Sequence, residues 1–396
     1  MRNRLVGVVL GVCLSSCGDP PKAVTSLPTI PVPNGMDGFP PRIAGSSPTD
    51  VWAEYETVPV SIWHYDGTHW ASVVSPSGNP VTANFNAPVI TSAGAGAIWI
   101  FDPELGALPP VIWRLAADGT TENHSAEIVG TGVGTDYGYS LVAVHVSPQG
   151  ATYVEMAQAP NPGVMAPIDH RLYSVVAGHF HRLVDLPLQT TATAVLSDTE
   201  IWVVHDGSSP RMAQRYVGGQ WIPADPALGA STQLPNAAMS GQTFQWGAGS
   251  ATDTWFVGPE GLGTSDSPGA IMHFDGTTIS RQPLLTPPFT QVGEGVGLWG
   301  IISVAPGVVA ILRNHTTPNN VDVESERWDG THFGTPKVIV HNACIHSGCE
   351  SLEVLAPVLA RLTDGTIVQA KTRSELDANM HSFLTRDLIL GQPSDY

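Results

Sequence analysis

The chain predicts an all-β fold, a β-propeller of about seven four-stranded antiparallel blades. Three observations lead there. Tryptophan recurs in one strand-like setting roughly every 50 residues, at Trp52, Trp99, Trp202 and Trp255, with Tyr153, Val309 and Val368 in the equivalent places. Several copies are followed by a turn with flanking aromatics, as in Tyr65-Asp66-Gly67-Thr68-His69-Trp70. Glycine (41) and proline (34) are abundant while charged residues make up only 13%, a composition that suits short strands joined by turns. A repeat of this length that carries only strand and turn signals describes a propeller blade.

In chain order, Met1 to Ser16 places Arg2 and Arg4 before the apolar run Leu5 to Leu14. That run is too short to span a bilayer as a stable helix and reads as a signal peptide. It ends in Leu14-Ser15-Ser16-Cys17, which resembles the lipobox of bacterial lipoproteins; the resemblance implies cleavage before Cys17 and lipid attachment, palmitate included, at its thiol. Gly18 to Pro41 is rich in proline and predicts a tether, with a reach of ~60 Å at ~3.1 Å per residue. The expected organisation is a signal peptide over 1–16, a lipidated N-terminus and linker over 17–39, and a propeller over 40–396. Its approximate blades are 40–86, 87–137, 138–189, 190–240, 241–292, 293–352 and 353–396.

The fifth repeat illustrates one blade. Thr243 to Trp246 predicts the inner strand, Gly247 to Thr252 a turn, Asp253 to Gly258 the second strand and Ile271 to Phe274 the third. Asp275-Gly276 predicts a two-residue turn with both residues at positive φ, leading to an outer strand over Thr278 to Gln282. Asp66-Gly67, Asp118-Gly119 and Asp329-Gly330 repeat the signal, with Ala177-Gly178 and Gly218-Gly219 as substitutes. The second-strand indoles are expected to pack between adjacent blades, each contributing roughly 4–6 kcal/mol of gross burial energy. Only Thr372 to His381 reads as helical.

Turns after the first and third strands are short, whereas connections after the second and fourth are long and unlike one another. Examples of the long set are Met156 to His170, Pro223 to Gly241, Pro259 to Gly269, Arg313 to Val323 and Thr335 to Ser351. In an antiparallel blade these two sets lie at opposite ends, so one rim carries the variable loops, where binding is expected. Just past the second strands this rim collects Glu54, Glu56, Asp102, Glu104, Glu155, Asp206, Glu260 and Asp266. Those carboxylates are the candidate binding residues, either as a negative mouth for a cation, amine or basic peptide or as simple solvation of each loop end.

Asp and Glu outnumber Lys and Arg 35 to 17, which disfavours nucleic acid and anionic lipid as partners of the folded body. Cys344 and Cys349 predict a disulfide in an exported protein. The alternative, four zinc ligands from His341, Cys344, His346 and Cys349, has a spacing unlike the common paired motifs. His179 and His181 share one strand face, which a metal could use, but strand histidines are more often ordinary surface or core residues. No metal and no cofactor is assigned. Gly-x-Ser-x-Gly and His-Glu-x-x-His are absent from the sequence, so the commonest hydrolase and zinc-protease routes lack support and no catalytic residue is assigned.

The pattern Ser-x-x-Asp-Val-Trp before a Trp-Asp-Gly-Thr-x-Trp hairpin is approached at Ser46 to Trp70, Ser250 to Thr278 and Arg327 to Phe333. In this the chain resembles tryptophan-bearing propeller repeats of bacterial lipoproteins and cell-surface proteins, from about Phe39 onward. The resemblance implies fold and exposure and no reaction. The resulting expectation is a monomeric, lipid-anchored, extracytoplasmic binding module, held to the outer membrane or cell surface. It would present its loop-rich rim to a protein, glycan or small ligand. A glycan-directed hydrolase or lyase with carboxylates at the channel mouth is the alternative.

Overall fold

The computed structural model describes residues 25–28, 30, 42–55, 60–74, 88–102, 111–129, 137–147, 150–160, 169–188, 190–205, 212–224, 245–250, 252–258, 270–282, 295–305, 308–317, 320–343, 359–364, 366–376 and 382–391. They form a β-propeller whose four-stranded antiparallel sheets, seven in all, follow one another along the chain. After β1 (Thr25–Ser26), the first blade holds β2 (Arg42–Ser47), β3 (Asp50–Tyr55), β4 (Ser61–Tyr65) and β5 (Trp70–Ser72). The second holds β6 (Val89–Ser92), β7 (Ala97–Asp102), β8 (Val111–Ala116) and β9 (Thr121–Asn123), followed by α1 (Ser125–Val129). The third holds β10 (Tyr137–Val146), β11 (Thr152–Pro160), β12 (Asp169–Val176) and β13 (His179–Asp185). The fourth holds β14 (Thr190–Ser197), β15 (Glu200–His205), β16 (Met212–Val217) and β17 (Gln220–Pro223). The fifth holds β18 (Gln245–Ser250), β19 (Asp253–Gly258), β20 (Ala270–Phe274) and β21 (Ile279–Gln282). The sixth holds β22 (Gly295–Ala305), β23 (Val308–Thr317), β24 (Asn320–Arg327) and β25 (Lys337–Ala343). The last combines β26 (Leu359–Arg361), β27 (Ile367–Leu376) and β28 (Ser382–Gly391) with β1 as its outermost strand.

First strands of neighbouring blades touch, as β2 does β6 and β14 does β18, and so form the inner ring. The core lies between blades, because each sheet has two apolar faces and each must be covered by the next sheet. Trp52 packs with Ile90, Ile98 and Leu115 of the second blade. Trp99 packs with Val154, Tyr173 and Phe180 of the third, Trp202 with Met272 and Phe274 of the fifth, and Trp255 with Trp328 and Phe333 of the sixth. All four indoles are buried, as are Tyr153, Val309 and Val368 in the equivalent places.

A polar latch fixes two of these indoles. Asp50 Oδ1 accepts from Trp52 Nε1 at 3.0 Å and faces His64 Nε2 at 2.8 Å, with the two rings 4.3 Å apart. Asp253, Trp255 and His273 repeat it at 2.9 and 2.8 Å, with the imidazole stacked on the indole at 3.9 Å. In the fourth blade Glu200 and Arg215 take the same slots around Trp202, the guanidinium lying 5.1 Å from its ring centre.

Several sequence expectations change. Within the stretch read as a tether, Thr25–Ser26 pairs with Ile389 and Leu390, while Leu27 and Ile30 enter the core beneath Trp70, whose Nε1 donates to Pro28 O at 2.8 Å. Open edges favour pairing, and the chain start supplies the strand that the last sheet lacks. Of the stretch read as helical, residues 372–376 are described and are not helical: they belong to β27, whose ten-residue ladder with β28 overrides a weak helical preference. The fifth inner strand is Gln245–Ser250, running four residues past the expected end at Trp246, and Ser250 pairs with Asp253. Arg313 to Val323 is no long loop: β23 and β24 run on as a hairpin to Thr317 and Asn320.

The Asp-Gly corners are not two-residue turns. Only the glycine has positive φ, 93° at Gly67, and Asp66 N closes a four-residue loop on His69 O at 3.4 Å. The Asp66 carboxylate accepts from Thr68 N, Thr68 Oγ1 and His69 N, which is the aspartate-specific reason for the motif. Those hydrogen bonds hold its pKa well below the usual range. The substitutes Ala177-Gly178 and Gly218-Gly219 do have both φ angles positive and make the tight turn.

Candidate functional site

Of the eight carboxylates expected at the loop-bearing rim, Glu54, Asp102 and Glu155 are described. Glu56, Glu104, Asp206, Glu260 and Asp266 lie outside the described residues, as do Cys17, Cys344 and Cys349. The three described acids do not line an open negative mouth. Their exposures are 0, 1 and 3%; Glu54 and Asp102 stand near the ends of β3 and β7, while Glu155 lies inside the longer β11. Such burial is tolerated only with compensating partners. Glu54 Oε2 meets Arg42 Nη1 at 3.0 Å, and Arg42 also donates to Pro88 O at the entry of the second blade.

Glu155 is the most elaborated of them. Its carboxylate bridges two imidazoles, with Oε2 3.0 Å from His145 Nε2 on the innermost strand and Oε1 3.0 Å from His170 Nδ1 on the third. Burial raises its pKa, but the hydrogen bonds from His145 and His170 win and bring it to about 2. It is therefore an anion that orients two rings, and it has no tendency to act as an acid near neutrality. The sixth blade holds a second buried charge group, in which fully buried Arg313 meets Glu324 Oε2 and Glu326 Oε2, each at 2.9 Å. Sequence reading placed Arg313 in a loop and so missed this group; the alternation Glu324-Ser325-Glu326 on one strand was the available signal.

The opposite rim is closed near its centre. Thr363 N donates to Gly45 O and Asp364 N to Ser46 O, joining the inner turns of the last and first blades. Gly150, from the third blade, faces the same threonine: a Cβ there would lie 3.1 Å from Thr363 Cγ2, and its φ is +82°. Turns from non-adjacent blades thus meet across the ring. A cleft of ≈ 370 Å³ remains at this end between the third and fourth blades, lined by Ser147, Thr152, Tyr153, Ser174, Asp198 and Thr199 among others. Burial and the 2.8 Å hydrogen bond to Asp198 raise the Tyr153 pKa, so the hydroxyl is held as a donor and is no base.

A further histidine group lies between the outer strands of the second and third blades. Glu127 Oε1 is 2.9 Å from His124 Nδ1 and 3.0 Å from His179 Nδ1. His179 was expected beside His181 on its own strand; its partners come from the preceding blade through α1, an element with no sequence signal strong enough to predict. Among the described residues no helix is long and apolar enough to cross a membrane.

No protein-family model matches the chain, and no curated protein matches it. Solved structures do. A polysaccharide lyase, Uly1, superposes with a TM-score of 0.53 over 91% of each chain at 12% identity. YCF48 bound to D1 peptide gives a TM-score of 0.41 at 12% identity over 93% of this chain and 96% of that one. A GH74 xyloglucanase from Xanthomonas campestris gives 0.43 at 12% identity over 91% and 55%. The likeness is one of fold.

Proposed function

We propose that this chain is a lipid-anchored, extracytoplasmic propeller that binds a protein, glycan or small ligand through its loop-bearing rim. In this reading it shares the role as well as the repeats of tryptophan-bearing envelope lipoproteins, with Cys17 as the lipidated residue at the outer membrane or cell surface. The observation that carries it is how the described polar residues are used. Glu54 and Glu155 on the second strands are tied to Arg42 and to His145 and His170, while the other rim is occupied by turn-to-turn contacts at its centre. A frame whose charges are spent on rigidity leaves recognition to the long connections.

A thermal-shift screen of the full chain in detergent, with envelope glycans and cationic peptides, tests this. A ligand should raise the transition of the native chain and leave unmoved a variant with residues 261–268 replaced by two glycines. A ligand that shifts both equally refutes the loop assignment. Cys17→Ser should abolish incorporation of labelled palmitate and release the protein from membranes; unchanged labelling refutes the anchor.

One observation supports a second reading, a glycan-directed lyase or hydrolase. Glu155 holds His145 on an innermost strand, and a carboxylate-oriented imidazole is the arrangement a general base requires. Release of unsaturated or reducing sugar ends from anionic polysaccharides, lost in His145→Ala, would favour this over binding alone.

A further inference from the structure

We propose that His124, Glu127 and His179 form a binding site for a divalent transition-metal cation of the zinc class, stapling the second blade to the third. The three residues offer ligand atoms that all lie within 4.8 Å of one another. His124 Nδ1 and His179 Nδ1 converge on the same oxygen, Glu127 Oε1, at 2.9 and 3.0 Å. Two imidazole nitrogens and one carboxylate oxygen suit a borderline-soft ion at ~2.0–2.2 Å bond lengths, and suit poorly calcium or magnesium, which take oxygen ligands.

The surroundings are those of a built site. Glu127 Oε2 accepts from Phe180 N at 2.9 Å, which fixes the carboxylate to the neighbouring blade. The His124 ring meets Trp99 edge-on at 4.9 Å, and its backbone N donates to Ile112 O. Ser125, which opens α1, accepts from Ile112 N and is itself capped by Asn123, so Glu127 is presented from an anchored turn. His179 is 64% exposed while His124 is only 10% exposed. An ion can therefore enter from solvent and still find one side of its shell enclosed.

The state of His124 supplies the second argument. Its Nδ1 faces Glu127, and its buried Nε2 makes no hydrogen bond although Glu122 Oε2 stands 3.5 Å away. With a metal on Nδ1 the ring proton resides on Nε2 and points at Glu122, the outer-shell carboxylate that metal-bound histidines commonly have. Three protein ligands leave a fourth position open to water on the exposed side.

The test is calorimetric titration of Zn²⁺ into the full chain in detergent after treatment with chelator, with His179→Ala, Glu127→Gln and His181→Ala in parallel. His179 is exposed, so its truncation leaves the fold intact. One ion should bind the native chain and His181→Ala alike, with at least tenfold weaker binding to His179→Ala and Glu127→Gln. Co²⁺ in its place should give intense visible bands, diagnostic of four-coordination, that His179→Ala lacks. Absence of saturable binding to the native chain, equal affinity in His179→Ala, or loss in His181→Ala would each overturn the proposal. The outcome is independent of the rim reading, since the site lies on the outer circumference.

Discussion

Truncating Trp255 to alanine is the sharpest test of how the blades cohere. The indole is fully buried, stacked on His273 at 3.9 Å and set edge-on to Trp328 and Phe333 at 4.9 and 5.6 Å. Burying ~200 Å² of apolar surface is worth about 5 kcal/mol at ~25 cal/mol per Å². The neighbours belong to two sheets pinned by their own ladders, so they cannot collapse into the void. The expected loss is ~3–5 kcal/mol. Trp255→Phe keeps one ring at the interface and removes the second ring together with the 2.9 Å hydrogen bond to Asp253, so it should cost less than the alanine variant, about 2 kcal/mol. Equilibrium urea unfolding followed by far-ultraviolet circular dichroism measures both. A loss below about 1 kcal/mol for Trp255→Ala would mean that inter-blade burial does not hold this propeller together.

Three further perturbations follow from local structure. Ala177 adopts φ 52°, a conformation that costs a non-glycine residue roughly 1 kcal/mol. Ala177→Gly should therefore raise the urea midpoint, whereas Gly67→Ala should lower it, because φ is +93° and the new Cβ would lie 2.9 Å from Thr49 Cβ. Glu155 has its folded pKa depressed to about 2 from an ordinary 4.5. A depressed carboxyl stabilises the fold fully above its unfolded value, and that contribution is lost as pH falls from about 4.5 toward 2, amounting to about 3 kcal/mol. Glu155→Gln should flatten this acid limb of the stability profile; an unchanged limb would show that the anion is not what the two histidines require.

How much of this was legible in the sequence depends on the range of the interaction. The indoles at Trp52, Trp99, Trp202 and Trp255 announce themselves because a repeated packing problem has a repeated solution, and period is visible in one dimension. The Asp-Gly corners were visible too, but their mechanism was misread: the aspartate works through its side chain on Thr68 and His69, and a dipeptide does not reveal that. Arg313 falls in the stretch expected as a loop, Arg313 to Val323, and nothing in the sequence marks Glu324 and Glu326 as its partners across the hairpin. His124, Glu127 and His179 were out of reach, being joined only by the docking of α1 against a strand more than fifty residues later. Polar clusters between blades carry no period, since each interface solves its own charge balance.

The closing strand alters what an anchor at Cys17 would mean. With Thr25 paired to Leu390, the chain between lipid and folded body is the stretch from Cys17 to Thr25. At ~3.1–3.6 Å per residue that stretch reaches roughly 25–29 Å, less than half of the tether that composition suggested. β1 is the outermost strand of the last blade, so the attachment point lies on the circumference and not at the centre of either rim. A lipid there would hold the propeller edge-on and close to the membrane, with its axis free to lie along the surface. Ligands at the loop-bearing rim would then approach from the side, parallel to the membrane, and net negative charge on the body would disfavour its lying flat on anionic headgroups. With such an anchor the length between Cys17 and Thr25 would be a functional variable: inserting flexible residues there would relax the orientation without touching the core that Leu27, Ile30 and Trp70 share.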